Sequence, residues 1–558
     1  MNETKRQYLE KQRAALKTER ESFIPHWRDL CDYVMPRRAR FTISERNKGD
    51  RRSKKVIDST ATLAMRNLMA GMMSGLTSPA RPWFSLTTPD PTLSEFGPVK
   101  SWLDEVTRRM RTVFLKSNLY NALPLLYCDQ GLYGTAAMAV LEDEEDIIRC
   151  YTFPIGSYCI AQSHRYSVNT FFREWAMTVR QLVERFGLDN CSSVVRNHWD
   201  NGNYEVWVDV CHLIYPNAEH DPNKLAAKYK KFSSCYWEAG STEDDKLLDE
   251  SGFDEFPIMA PRWNITGEDV YGHSPGMDAL GDVQQLQAMQ RRMIQSVDKM
   301  VNPPMTAPTS MQNKKASLLP GDITYVDTTQ GGTAFRPAHE VRMPLQELQV
   351  LIGETQARVK RCFYEDLFLM LANSDRRQIT AREIEERHEE KLLMLGPVLE
   401  RQNEDLLDPL IDRTFAIMLR RGELPPPPAE LAGQELKVEY ISIMAQAQKL
   451  VATAGLERFV GFVGNLAAAK PDIADKLDFD QVVDEYSDML GVPPKIVRPD
   501  EEVQKIREAR AQQIAAQQQV EQLQQVAQGA KLLSETDMNN DSALSRIAAG
   551  LGGAMQPQ

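Results

Sequence analysis

Apolar residues recur at spacings of three, four and seven through residues 3–35, where Leu9, Leu16, Phe23, Trp27, Leu30 and Val34 share one face; the pattern predicts a helix that Pro36 closes. Residues 58–76 return to small and apolar types in helical order, ending near Gly75 and Pro79, ahead of an extended piece at 83–86. A further helix runs through Trp102, Val106, Met110, Val113 and Phe114. The texture then changes. Residues 147–175, 204–215, 230–238 and 256–263 are rich in β-branched and aromatic types, and Tyr204, Val206, Val208 and Val210 alternate as one face of a strand would. One short helix interrupts them, opened by the capping box from Thr178 to Gln181 and stopped by Gly187. The expectation is a mixed α+β domain, mainly helical, around an antiparallel sheet.

From Ser274 and Pro275 the period becomes helical again, since proline in a first helical turn forfeits only an N–H that has no partner there. Leu280, Val283, Leu286, Met289, Met293, Val297 and Met300 hold a stripe, and Asn302, Pro303 and Pro304 end it. Residues 305–344 are too polar and proline-punctuated for helix, and strand-like pieces at 322–327 and 333–337 around Gly331 and Gly332 predict a small hairpin. A second long helix is expected over 344–371 on Leu345, Leu348, Ile352, Val359, Cys362 and Phe363. Two such helices joined through a compact insert should pack antiparallel. The turn formers after residue 371 predict an exposed loop, followed by a capping box at Thr380 to Glu383. Gly396 and Pro397 break that helix, a third carries Leu399, Leu406, Leu410, Phe415 and Met418, and the prolines of 425–428 form a stiff linker. Residues 442–468 and 480–490 are amphipathic and 501–528 are Gln-rich; beyond 529 the composition predicts a disordered tail.

A chain of 558 residues with 42% hydrophobic and 26% charged residues has the composition of a globular protein of several domains. Its 66 basic and 78 acidic residues give a net charge of −12, which argues against gripping nucleic acid over most of the surface, because such binding rests on phosphate neutralisation. The eight cysteines form no CxxC pair and read as free thiols in a reducing compartment. The charged first residues leave no room for a signal peptide, and no apolar run is long enough for a membrane helix. One stretch departs from the acidic balance: Arg37, Arg38, Arg40, Arg46, Lys48, Arg51, Arg52, Lys54 and Lys55 crowd together against only Glu45 and Asp50. It reads as a solvated loop or as a contact for DNA or an acidic neighbour.

Candidate chemistry fails on inspection. Gly272, His273, Ser274, Pro275 and Gly276 spell the GxSxG nucleophile elbow, yet the residue after the serine must donate its backbone N–H to an oxyanion and Pro275 has none. A helix N-cap is the better reading of Ser274. His388 and Glu389 begin a zinc-helix motif that lacks its second histidine, Leu392 standing there. Cys191, His198, Cys211 and His212 match no common zinc spacing. No P-loop occurs, so any ATP hydrolysis that moves a nucleic acid must belong to another protein. No catalytic residue, metal or cofactor is expected.

The order of these elements resembles the podovirus-type head-to-tail connector, or portal, family over nearly the whole chain. The resemblance is carried by Asp58-Ser-Thr-Ala61, Gly75-Leu-Thr-Ser-Pro79 with Trp83-Phe84, Phe172-Arg173-Glu174 with Thr178 to Gln181, Tyr271-Gly272, and Ile379 to Ile384. It implies a dodecameric ring around an axial channel at one capsid vertex. It also implies a wing at 1–270 with helices at 381–424, stem helices at 271–301 and 344–371, a clip at 302–343, a tunnel loop at 372–380 and a crown at 425–528, before the tail at 529–558. In such a protein the tunnel loop, here Asn373, Ser374, Asp375, Arg376 and Arg377, faces double-stranded DNA without sequence preference, and Lys314 and Lys315 are candidate clip contacts. The implied partners are the terminase large subunit, tail adaptor proteins, capsid and scaffold proteins, with no membrane; the implied location is the virion, after assembly in the bacterial cytoplasm. Two rivals stand beside this reading: a serine hydrolase using Ser274, and a helical scaffold or internal virion protein that needs no closed ring.

Overall fold

The computed structural model describes residues 4–43, 49, 52–90, 93–94, 96–240, 246–303, 305–306, 336–337, 344–368, 396–431, 436–441, 459–466, 470, 477–490, 503–514 and 517. The chain forms two compact bodies, residues 1–474 and 475–558.

The expected helix over 3–35 is two helices, α1 (Lys5–Glu21) and α2 (Ile24–Tyr33). Pro25 in the first turn of α2 has no N–H to continue the ladder from α1, so the chain restarts there. A capping box that the pattern reading passed over opens α1: Thr4 Oγ1 accepts from the Gln7 amide and the Gln7 side chain accepts from the Thr4 amide. Next come α3 (Thr60–Leu76), β1 (Phe84–Thr87), α4 (Gly97–Lys116) and α5 (Leu119–Tyr133). The pattern reading has no α5, for a physical reason: Leu119, Leu123, Leu126, Tyr127, Leu132 and Tyr133 are all buried, and the more open side carries Tyr120, Pro124 and Leu125 beside Asn121, so no polar face betrays the period.

Two antiparallel sheets follow. β2 (Ala137–Asp143) pairs on one side with β3 (Ile147–Phe153) and on the other with β9 (Ile258–Met259). The larger sheet has five strands in sequence order: β4 (Tyr158–Gln162), β5 (Val168–Thr178), β6 (Trp207–Pro216), β7 (Phe232–Glu238) and β8 (Asp249–Phe253). Between β5 and β6 lie α6 (Val179–Phe186), with the expected box between Thr178 and Gln181, and α7 (Ser193–Asp200). β6 starts at Trp207 and not at Tyr204, whose ring packs edge-on against Trp199 at 4.8 Å. One face of the five strands is covered by α1: Leu9 and Leu16 meet Phe172, Cys211, Leu213, Cys235 and Trp237.

The predicted long helices are present as α8 (Pro275–Val301) and α9 (Leu345–Cys362). α9 is shorter than the expected 344–371: Tyr364 takes a left-handed φ of 55° and breaks the helix before residues 365–368 coil again. Of the expected hairpin between α8 and α9, the described part is one antiparallel pairing of Met305–Thr306 with Arg336–Pro337; residues 322–327 lie outside the described residues. A helical stretch from 396 passes through a π turn at Asn403–Leu407 into α10 (Asp408–Arg420). The residues after it, where the crown is expected to open, reach back to the earlier chain. Trp102 Nε1 donates to the Pro425 carbonyl at 3.0 Å, and β10 (Lys437–Tyr440) pairs antiparallel with β1. In the second body, helical residues 479–490 and 503–514 are joined by an Arg507–Asp480 ion pair.

Candidate functional site

The long hairpin is rooted by the residues around Ser274. Ser274 is an N-cap with extended backbone, its Oγ accepting from the Met277 amide at 3.1 Å and donating to the Leu132 carbonyl at 2.8 Å. With 1% of its surface exposed and both hydrogen-bonding roles used, this hydroxyl is a structural tie between α8 and α5, so the hydrolase reading fails on geometry as well as on Pro275. The close approach explains Gly276, where a Cβ would come within 2.6 Å of the Leu132 carbonyl oxygen. Just before the cap, the buried Tyr271 accepts a hydrogen bond from the Ile160 amide and packs against Phe23 and Trp27 at 5.0 and 5.1 Å. One tyrosine thus holds the larger sheet, α2 and the root of α8 together.

A polar junction then binds both hairpin helices to the start of α3. The Asp58 carboxylate caps α3 by accepting from the Thr60 amide at 2.8 Å, and it also accepts from Gln290 of α8 at 3.2 Å and Gln356 of α9 at 2.8 Å. Gln287 of α8, almost fully buried, completes the node: its carbonyl oxygen receives the Ile57 and Asp58 amides at 2.7 and 2.8 Å, and its NH2 donates to the Asp58 carbonyl at 2.8 Å. Burial by itself would raise the Asp58 pKa, but the bonds from Thr60, Gln356 and Gln290 favour the ionised form and hold it below the usual carboxylate range. Nearby, Arg358 of α9 bonds Asp282 of α8 at 3.0 Å, which sets the later half of α9 beside the earlier half of α8 and makes the pair antiparallel. Beyond the end of α9, Phe368 lies directly over Gly71 of α3, and Asn67 donates to Glu365 at 2.7 Å.

The other end of the hairpin is bare. Ile294, Val297, Met300 and Val301 on α8 and Val350 and Leu351 on α9 are exposed in the single chain. Large apolar side chains on both helices, far from their root, form a surface of the kind that another molecule covers. Among the described residues no helix is long and apolar enough to cross a membrane.

The order Asp58-Ser-Thr-Ala61, sheet, Tyr271-Gly272, long hairpin is thus one connected construction. The sequence from residue 6 to 497 matches the family model described as bacteriophage head to tail connecting protein. This chain belongs to that family. It is 52% identical over 557 residues to the portal protein of Salmonella phage epsilon15, covering 100% of both chains. It is 45% identical over 551 residues to the probable portal protein of Bordetella phage BPP-1, covering 99% of each.

Not every candidate residue of this connector-family chain can be placed. Asn373, Ser374, Asp375, Arg376, Arg377, Lys314 and Lys315 lie outside the described residues, as does the motif from Ile379 to Ile384. The basic stretch is only partly described, and Arg38 and Lys55 are among its cations with local partners. Arg38 forms a forked pair with the buried Asp129 at 2.5 and 2.8 Å and also donates to the Leu125 carbonyl, while Lys55 pairs with Asp32 at 2.7 Å and lies over the Tyr33 ring. Burial pushes the Asp129 carboxyl up to about 6 despite the opposing pull of Arg38. The imagined zinc set does not converge: Cys211 faces α1 with Phe172, whereas His212 points to the other side of the sheet and stacks on Tyr236. Gln287, Gln290 and Gln356 were missed as a group. Their signal was a row of amides on the faces of two otherwise apolar-striped helices, which periodicity alone scores as solvent-facing.

Proposed function

We propose that this chain is the subunit of a dodecameric ring at one capsid vertex, through whose axial channel viral genomic DNA is packaged and later ejected. The family membership supplies head-to-tail connection as its role, and the single structural observation that carries the reading further is the rooted hairpin with its bare apolar end. α8, with 27 residues, is about 40 Å long, and an exposed apolar stripe of that kind on two paired helices is satisfied by the same hairpin in a neighbouring copy. The stem of the ring is assigned to α8 and α9, the wing to the two sheets with the helices around them, the clip to the segment between 302 and 343, and the crown to the chain after 424. The loop at 372–380 is assigned to the channel wall, with Arg376 and Arg377 nearest the DNA, and Lys314 and Lys315 to the clip.

In this role the protein is a virion component that docks the terminase large subunit during packaging and tail adaptors afterwards, against capsid and scaffold proteins at the vertex. Motor chemistry resides in the terminase. A net charge of −12 suits a conduit, because DNA must slide and each phosphate contact adds a salt-dependent hold. Negative-stain electron microscopy and light scattering of the purified protein provide the test: rings with twelvefold symmetry are expected, and a monomer at micromolar concentration would overturn the ring. The scaffold reading has no observation in its favour.

A further inference from the structure

The motif Phe172-Arg173-Glu174 splits across β5. Phe172 and Glu174 turn toward α1, where Glu174 pairs with Arg13 at 2.6 Å and with Lys17. Arg173 turns the other way. Strand register sets it beside His212 of β6, and His212 beside Tyr236 of β7, so the three form one row across the sheet. This row borders a cavity of about 260 Å³ between the two sheets, lined also by Arg185, Trp175 and Phe153. The Arg173 guanidinium lies 3.9 Å from the Trp175 ring centroid and 5.0 Å from that of Phe153. The Arg185 guanidinium lies 5.0 Å over Tyr236 and donates to its hydroxyl at 3.1 Å.

The cavity lacks a counter-charge. Among the described residues neither Arg173 nor Arg185 forms an ion pair, whereas Arg13, Arg38, Arg262, Arg358, Arg413 and Arg420 all do. Two polar atoms there are buried without a partner: Nε of Arg173, and Nδ1 of His212, a side chain 5% exposed whose Nε2 shares a hydrogen bond with Ser234 at 2.9 Å. The desolvated Arg173 and the two orphaned nitrogens are costly in an apolar cavity, and one anion, which the exposed Arg185 at the rim can also reach, offsets them together.

We propose that the cavity between the two sheets binds a carboxylate whose oxygens are held by Arg173 and Arg185 while its apolar body packs on Trp175 and Tyr236. The planar guanidinium fork matches a carboxylate edge, and aromatic walls accept an apolar acid better than a fully hydrated inorganic anion. The carboxylate belongs to a free small acid or to an aspartate or glutamate of a second copy of this chain. Burial, with both arginines adding to it, pushes His212 well below its usual range in the empty cavity.

The test is titration of the full-length protein with sodium benzoate by calorimetry, at ionic strength fixed with sodium chloride, on dissociated subunits and on assembled rings. Saturable binding of one benzoate per subunit is expected, with a change in tryptophan fluorescence. Arg185→Gln should weaken it about tenfold to a hundredfold, the usual consequence of losing a hydrogen bond to a charged group. Arg185→Lys should recover part of the loss. Arg185 is outside the packed core, so a melting temperature within about a degree of the parent's certifies that variant as folded even if Arg173→Gln does not fold. Binding to subunits and rings alike identifies a free acid, and binding to subunits alone identifies a side chain of a second copy. Absence of saturable binding in both, or undiminished affinity in Arg185→Gln, overturns the proposal. Neither result depends on whether the protein forms a portal ring.

Discussion

Gly71 sits in the middle of α3, where alanine would ordinarily be the better helix former. Here the sign reverses, because a Cβ would enter the space of the Phe368 ring and its own Cβ, which a rotamer change does not clear. Gly71→Ala is expected to destabilise the protein by about 1–3 kcal/mol, as overpacked cores do, read as a lowered melting temperature. The basic stretch divides in the same way. Arg38→Ala leaves the Asp129 carboxyl group, 2% exposed, buried without its charged partner and should cost about 3 kcal/mol in chemical denaturation, whereas Arg40→Ala, at an exposed position, should stay within about 0.5 kcal/mol. Asp58 adds a pH dependence. Its pKa is lowered in the fold, so its contribution is complete above the ordinary aspartate range near about 4 and is lost as pH falls through the lower folded value. Asp58→Asn should therefore flatten the acid limb of a stability-versus-pH curve, and an unchanged acid limb would show that the junction does not titrate with folding.

Among the elements, the sequence was most legible where a face is half buried. α8 begins at Ser274 and Pro275 as its cap chemistry predicts, and the Thr178 box opens α6. It was least legible where environment overrides period. α5 has no polar face to reveal it, β8 at Asp249–Phe253 has the polar composition of a loop, and the break at Tyr364 arises from a backbone conformation that its residue type does not announce. The candidate site divides similarly: its helices were readable, while the Asp58 junction depends on residues 58, 287, 290 and 356 meeting in space. The bare end of the hairpin gives a test at this scale. Ile294→Asp with Val350→Asp places charges at exposed positions and should leave the melting temperature of the dissociated subunit within about 1 °C, while abolishing rings on size-exclusion chromatography. A subunit that unfolds would mean that these side chains pack within the chain.

For the whole molecule the assigned channel wall gives the sharpest outcome. Deleting residues 373–377 should leave rings intact by electron microscopy and lower the fraction of DNA-filled heads in an infected culture; loss of the rings would make that segment a structural element instead. The hairpin also has a mechanical character that follows from its attachment. It is gripped along its first half, by Ser274 and Tyr271 at the root and by the Asp58 junction as far as Gln290, and the rest of α8 extends about 16 Å beyond that grip as a stiff rod. For such a rod, a tilt of about 5° at Gln290 sweeps the free end through about 1.4 Å. The amides of Gln287, Gln290 and Gln356 are therefore the fulcrum of a lever, and small changes in their hydrogen bonds become displacements at its free, apolar end.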